Sequence, residues 1–328
     1  MATKSHYQTL TLNHIPYPMR HAFIETGYRQ LHKPWSYYYL SVAKWHNETL
    51  NVWTHVIASI IIPYYGVQFH QKHDLLYSSE GNKMLVCFLG CLTLTVLSSI
   101  AHWFGSRSVK SHVIFFLMDY SGIALYVYTT SVVALYICGD IHSFETLRPF
   151  YVQVGVVLAT ICFAINCAAK VWIENKSFSS MKKFGMIAPY ILFALYVSCP
   201  LFPRYWHCYL DSKCALYSLN NITLCYALFV LEAIVYALHI PERWKAKSFD
   251  HCGQSHQIFH ISVLVTMVVQ IYTLDNEIAS GHSSQFEFDF EKNVAGFVCL
   301  VISLTMVILF YLPSIDKLSH KFKSSKSE

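Results

Sequence analysis

Five polar residues sit inside long apolar stretches of this 328-residue chain: Ser98 and His102, Asp119, and His256 and His260. They lie on three different stretches. Two of the clusters have the i,i+4 spacing that stacks side chains on one helix face. A serine, an aspartate and three imidazoles immersed in lipid are costly unless they share a partner. The chemistry of that set points to Zn2+, which takes three protein ligands plus a water in catalytic sites and four protein ligands in structural ones. Imidazoles at 102, 256 and 260 leave one position open, and the ion would lower the pKa of a water there toward neutrality. Asp119 could accept a hydrogen bond from that water, act as general base and offset part of the metal charge. Ser98 could orient the water or polarise a substrate carbonyl. These parts suffice to hydrolyse a lipid amide or ester. They equally suffice for a structural zinc that pins three helices together.

The elements that must position these residues are membrane helices. Hydrophobic residues make up 54% of the chain and charged ones 13%, with a mean hydropathy of +0.36. A helix crosses a bilayer core with ~20 apolar residues. Eight stretches approach this, at residues 49–71, 84–105, 111–139, 149–169, 184–203, 215–240, 253–274 and 293–315. The third and sixth carry one acid each, Asp119 and Glu232. Little sequence lies between them, so the expected architecture is a single all-α membrane bundle over residues 49–315. Residues 1–48 form an amino-terminal tail with an interfacial segment, and 316–328 a basic carboxy-terminal tail.

Lys and Arg set the orientation. If the connections alternate, 18 of the 24 basic residues fall on the side of the amino terminus and 6 on the other, so both termini are expected in the cytosol. Asp119 then sits roughly 13 Å beyond Lys110, His260 roughly 15 Å beyond Asp250, and His102 about 7 Å from Arg107. All three clusters therefore belong to the cytoplasmic third of the bundle.

Other features carry weaker signals. Residues 1–20 read as a mobile tail without a signal-peptide pattern, which leaves the first span to direct insertion. The aromatic run Trp35–Trp45 suits a short helix at the headgroups, or an aromatic belt that only anchors. No basic cluster is interleaved with aromatics, so a nucleic-acid partner is set aside. Cys208 and Cys214 share an expected outer loop and could pair. Sequons start at Asn47, Asn175 and Asn221, and only the last falls on the outer side. His55, His70, His112 and His239 are read as satisfied by neighbouring carbonyls, the usual state of a lone histidine in such helices. Glu232 is either a polar anchor in a ligand pocket or an acid bonded to a nearby hydroxyl. Pro189, Pro200 and Pro203 kink or end the fifth span. The tail 317–328, with lysines among serines, reads as disordered and drawn to anionic lipid.

Several segments together resemble the progestin and adipoQ receptor family. Glu25-x-Gly-Tyr-Arg29 and His46-Asn-Glu-Thr-Leu-Asn-Val-Trp-Thr-His55 are similar to its entry motif. Ser98-x-x-x-His102, Asp119-Tyr-Ser-Gly122, Pro241-Glu-Arg243 and Ser255-His-Gln-Ile-Phe-His260 follow in the family's order. The resemblance implies zinc ligands at His102, His256 and His260, a water-binding aspartate at Asp119 and a motif serine at Ser98. It implies a seven-helix adiponectin-receptor-like bundle, here with an eighth carboxy-terminal helix. The Tyr-Tyr-Leu-Ser run before His46 and the eighth span resemble the membrane progestin receptor branch. That branch implies a steroid-responsive plasma-membrane receptor coupled to heterotrimeric G proteins. The adiponectin receptors and alkaline ceramidases imply instead a zinc-dependent ceramide hydrolase. Neither branch marks its steroid or lipid contacts with a short motif.

Overall fold

The computed structural model describes residues 8–172, 179–211 and 216–324. Backbone is described throughout these ranges, and side chains at all but 179–187, 217, 218, 323 and 324. Among the described residues, eleven α-helices run in the order α1 (Trp35–Ser41), α2 (Thr49–His73), α3 (Ser79–Phe104), α4 (Val109–Tyr136), α5 (Ile141–Leu147), α6 (Tyr151–Val171), α7 (Ser179–Ser198), α8 (Phe202–Leu210), α9 (Asn220–Leu238), α10 (Ser255–Ala279) and α11 (Phe290–Ser324). Among the described residues the only β-type pairing is one bridge between Leu10 and Tyr28. Helices α2, α3, α4, α6, α9, α10 and α11 are long and apolar enough to cross a membrane. The expected fifth span is α7, whose apolar part with described side chains covers Ala188–Ser198.

Hydropathy located the spans, and local chemistry sets their ends. Ser78 accepts the Gly81 amide (2.9 Å) and Ser108 the Ser111 amide (3.2 Å), capping α3 and α4. Asp140 caps the unforeseen α5 by accepting the amides of His142 and Ser143. The fifth span stops at Ser198 rather than 203. Pro200 occupies the turn, and Pro203 sits in the first turn of α8, where a missing N–H costs nothing. Cys208 is disulfide-bonded; Cys214, its expected partner, lies outside the described residues, as does the Asn175 sequon.

Helix α3 packs between α2 and α4, and α4 also meets α6, α7 and α11. Helix α10 closes the bundle against α2, α3 and α9, while α11 lies along α4 and α6. Small residues permit the tightest of these contacts, as in many membrane bundles. A Cβ on Gly122 would stand 3.0 Å from the Leu94 Cα and 3.3 Å from the Thr93 carbonyl oxygen. Gly122 is one turn beyond Asp119, and Leu94 one turn before Ser98, so this contact sets how near the two motif residues come. Gly122→Val will force α3 and α4 apart and destabilise the protein by ~1–3 kcal/mol. The readout is the thermal unfolding midpoint in detergent; an unchanged midpoint would refute the tight seam.

Both tails depart from expectation. Residues 8–20 pack where a mobile tail was expected over 1–20, of which 1–7 lie outside the described residues: they form short turns with Ile15 and Met19 buried, and Leu10 exchanges backbone hydrogen bonds with Tyr28. Apolar side chains at 15, 19 and 24 supply the packing that the polar average of the segment concealed. At the other end α11 continues to Ser324, so that 317–324 are helical where disorder was expected, and 325–328 lie outside the described residues. Ile315 and Leu318 are buried, and Asp316 pairs with Lys110 at 2.6 Å. Helix α1 forms within the aromatic run, with Tyr38 buried and Tyr39 and Leu40 exposed.

Candidate metal centre

His102 occupies the last turn of α3, and His256 and His260 the first two turns of α10. One ring nitrogen from each lies within 4.8 Å of the others. The Nε2 atoms of His102 and His256 stand 3.2 Å apart. Two nitrogens bound tetrahedrally to one zinc at 2.0–2.1 Å would be about 3.3 Å apart. Two of the remaining ring nitrogens are engaged elsewhere, which leaves Nε2 of His102 and of His260 free to face inward. Nδ1 of His102 meets Glu48 Oε2 at 2.7 Å, and Nδ1 of His260 meets Thr54 Oγ1 at 3.1 Å. Zinc-bound histidines are oriented in this way by carboxylates and hydroxyls on their far side. The three residues therefore fit a zinc ion by donor type, spacing and outer contacts.

Asp119 is buried on α4 and is not among the converging set. Ser98, one turn before His102 on α3, is buried beside it. The structure thus brings all five residues of the sequence reading to one end of the bundle, as an imidazole triad with a hydroxyl–carboxyl pair beside it.

Sequence reasoning assigned no role to the residues that brace this centre. Glu48, which precedes the first turn of α2, links His102 to His21 Nε2 (2.8 Å) and accepts from Asn51 Nδ2 (2.7 Å). Burial would push its carboxyl up, but the two imidazoles that contact it outweigh this and hold it well below the usual carboxylate range. His46, pushed down to about 3 by burial and by the nearby Arg29 charge, accepts the Glu48 amide at Nδ1 (3.1 Å). An acid at the head of a span, on the side where the histidines cluster, was the available signal. His55 differs from its expected state. Its ring stands edge-on to His260, centroids 3.9 Å apart, and its Nδ1 has no hydrogen-bond partner among the described residues. Glu232 on α9 takes a hydrogen bond from Thr266 on α10, as the hydroxyl-bonded alternative required.

Farther along the bundle, α4, α7, α9 and α10 enclose a cavity of about 140 Å³ with almost wholly apolar walls. Val127, Val197 and Phe229 contribute to them. Among its polar lining residues is Gln270, whose Oε1 accepts from Tyr126 (2.8 Å) and whose Nε2 donates to Thr130 (3.2 Å). Gln270 lies about 15 Å along α10 from His260, at 1.5 Å per residue.

A membrane-spanning helical bundle with a triad of converging imidazoles, two buried and one half-buried, defines the class: a multi-pass membrane protein with a candidate metal centre. The chain belongs to the Haemolysin-III-related family, whose profile matches residues 43–271, and so to the progestin and adipoQ receptors that its motifs resemble. Among its relatives, zebrafish (Danio rerio) membrane progestin receptor alpha-B is 29% identical, over 80% of this chain and 74% of its own. Pig (Sus scrofa) membrane progestin receptor beta is 28% identical over 78% and 72%. Human (Homo sapiens) membrane progestin receptor alpha is 24% identical over 92% and 87%.

Proposed function

We propose that this chain is a plasma-membrane receptor for a progestin-type steroid. Both termini are cytoplasmic, Zn2+ sits in the cytoplasmic third, and signalling passes to a heterotrimeric G protein. Similarity to membrane progestin receptors over most of the chain supports the ligand class. The observation that carries the reading is the largely apolar cavity with a few polar side chains, Gln270 among them, the usual form of a site for an apolar ligand. A void of about 140 Å³ resembles one that admits a benzene ring. It therefore seats one end of a steroid, and the remaining rings extend between helices toward lipid.

His102, His256 and His260 would hold the metal, which when bound supplies a Lewis acid and a local positive charge. The chain's own groups do the rest. Glu48 and Thr54 fix the ring orientations, and Asp119 with Ser98 holds an acceptor and a donor beside the triad. This second pair favours one alternative, a zinc-dependent hydrolase of lipid amides such as ceramide, because a structural metal has no use for it.

Asp119→Asn separates the two readings. A receptor retains steroid binding in this variant, and that is the expected result. A hydrolase loses chelator-sensitive turnover of a fluorescent ceramide while zinc content stays near that of the parent. Loss of steroid binding together with loss of turnover would overturn the receptor assignment.

A further inference from the structure

The segment ahead of α2 is wired into the ligand-bearing helices from both sides. Arg29 is fully buried at the end of α3. Its Nη2 donates to the His102 carbonyl (2.6 Å), and its Nη1 to the Trp103 carbonyl (2.5 Å) and Ser41 Oγ (3.0 Å). These carbonyls belong to the last turn of α3, which lacks intrahelical donors. Four residues earlier the same segment grips the loop leading into α10. Asp250 accepts the amides of Glu25 (3.2 Å) and Thr26 (2.7 Å) and the Thr26 hydroxyl (2.6 Å). Gly27 turns the chain between these grips with φ of +82°, and a Cβ there would meet Asn47 at 3.1 Å and the His251 ring. Beyond it, Gln254 donates to the Asn47 carbonyl (3.0 Å), and Glu242 holds the amide (2.7 Å) and hydroxyl of Ser255, the neighbour of His256. Glu48 completes the arrangement on the side-chain face, with His21 on one oxygen and His102 on the other.

We propose that Glu48 is a positioning residue of the metal centre, and that the docked amino-terminal segment acts with it to hold His102 against His256 and His260. Metal affinity then depends on contacts more than twenty residues outside any span. The proposal rests on the reading of the three histidines as a metal centre. Its physical content is tautomer and distance. Glu48 keeps the His102 proton on Nδ1 and the lone pair on Nε2, while Arg29 and Asp250 tie the two helices whose separation sets the 3.2 Å gap.

The test uses full-length protein in detergent, stripped of metal and titrated with Zn2+ against a chromophoric chelator. Co2+ absorption reports coordination, and the thermal midpoint of the apo form reports folding. Glu48→Ala should weaken zinc binding by about a hundredfold and Glu48→Gln by about tenfold, the range found for such outer partners. His21→Ala should weaken it less, in the same direction; His21 is partly exposed, so this variant tolerates the change. Apo midpoints should stay near wild type, and the Co2+ spectrum should show altered geometry. A lowered apo midpoint with unchanged zinc affinity in all three variants would make these residues structural supports only and overturn the proposal. A wild-type chain that binds no zinc would be a separate failure, that of the metal reading itself.

Discussion

Replacing His256 with alanine will leave the purified protein without zinc under conditions in which the parent chain retains about one ion. The expected loss in affinity is on the order of a thousandfold, or ~4 kcal/mol at ~1.4 kcal/mol per tenfold. Two imidazoles remain, and their outward Nδ1 atoms are already committed to Glu48 and Thr54. Asp119 lies outside the converging set. A ligand that binds only the folded state adds RT ln(1 + [L]/Kd) to stability, ~4 kcal/mol at a thousand times Kd. Chelation should therefore lower the melting midpoint of the wild type and leave that of His256→Ala unmoved. Metal analysis by mass spectrometry with paired melting curves decides it. Full zinc occupancy in His256→Ala would remove this residue from the ligand set.

Filling the cavity should abolish steroid binding without unfolding the protein. Ala194 lines it from α7, and Ala194→Phe places a benzene-sized ring in a void able to hold about one such ring. Cavity filling adds stability at ~24 cal/mol per Å³, so up to about 3 kcal/mol is available from 140 Å³. The steroid loses its seat. A hundredfold or greater fall in progestin affinity is expected, at least ~2.8 kcal/mol, with a melting midpoint at or above that of the parent. Normal steroid affinity in a well-folded Ala194→Phe chain would place the ligand elsewhere.

The membrane-helix architecture was legible in the sequence because lipid permits few alternatives. Long uncharged stretches between polar loops become helices, and a polar side chain within one must meet another. The i,i+4 pairs at 98/102 and 256/260 read correctly as one-face clusters because helical periodicity alone fixes that. What composition hid was tertiary. Residues 8–20 are polar on average yet deliver Ile15 and Met19 to the core, a pattern too sparse to register as periodicity. Glu48 and Arg29 were seen only as letters of a motif, since contacts spanning 54 and 73 residues leave no trace in local spacing. The cavity was equally silent. Its walls come from four helices whose apolar faces are, one at a time, the same as any lipid-facing surface.

Seven helices long and apolar enough to cross a membrane, with the apolar stretch Ala188–Ser198 of α7 as a further pass, would make eight and so fix a parity. An even number of crossings returns the chain to the compartment in which it began, and the Lys110–Asp316 pair puts the far portion of α11 beside the start of α4. Arg107, three residues before Lys110, donates to the Lys33 carbonyl at 3.2 Å, so the segment ahead of α2 arrives at this same end. Fluorophores at the two extremities should therefore exchange energy across one membrane face, and a protease added to sealed vesicles should clip both or neither.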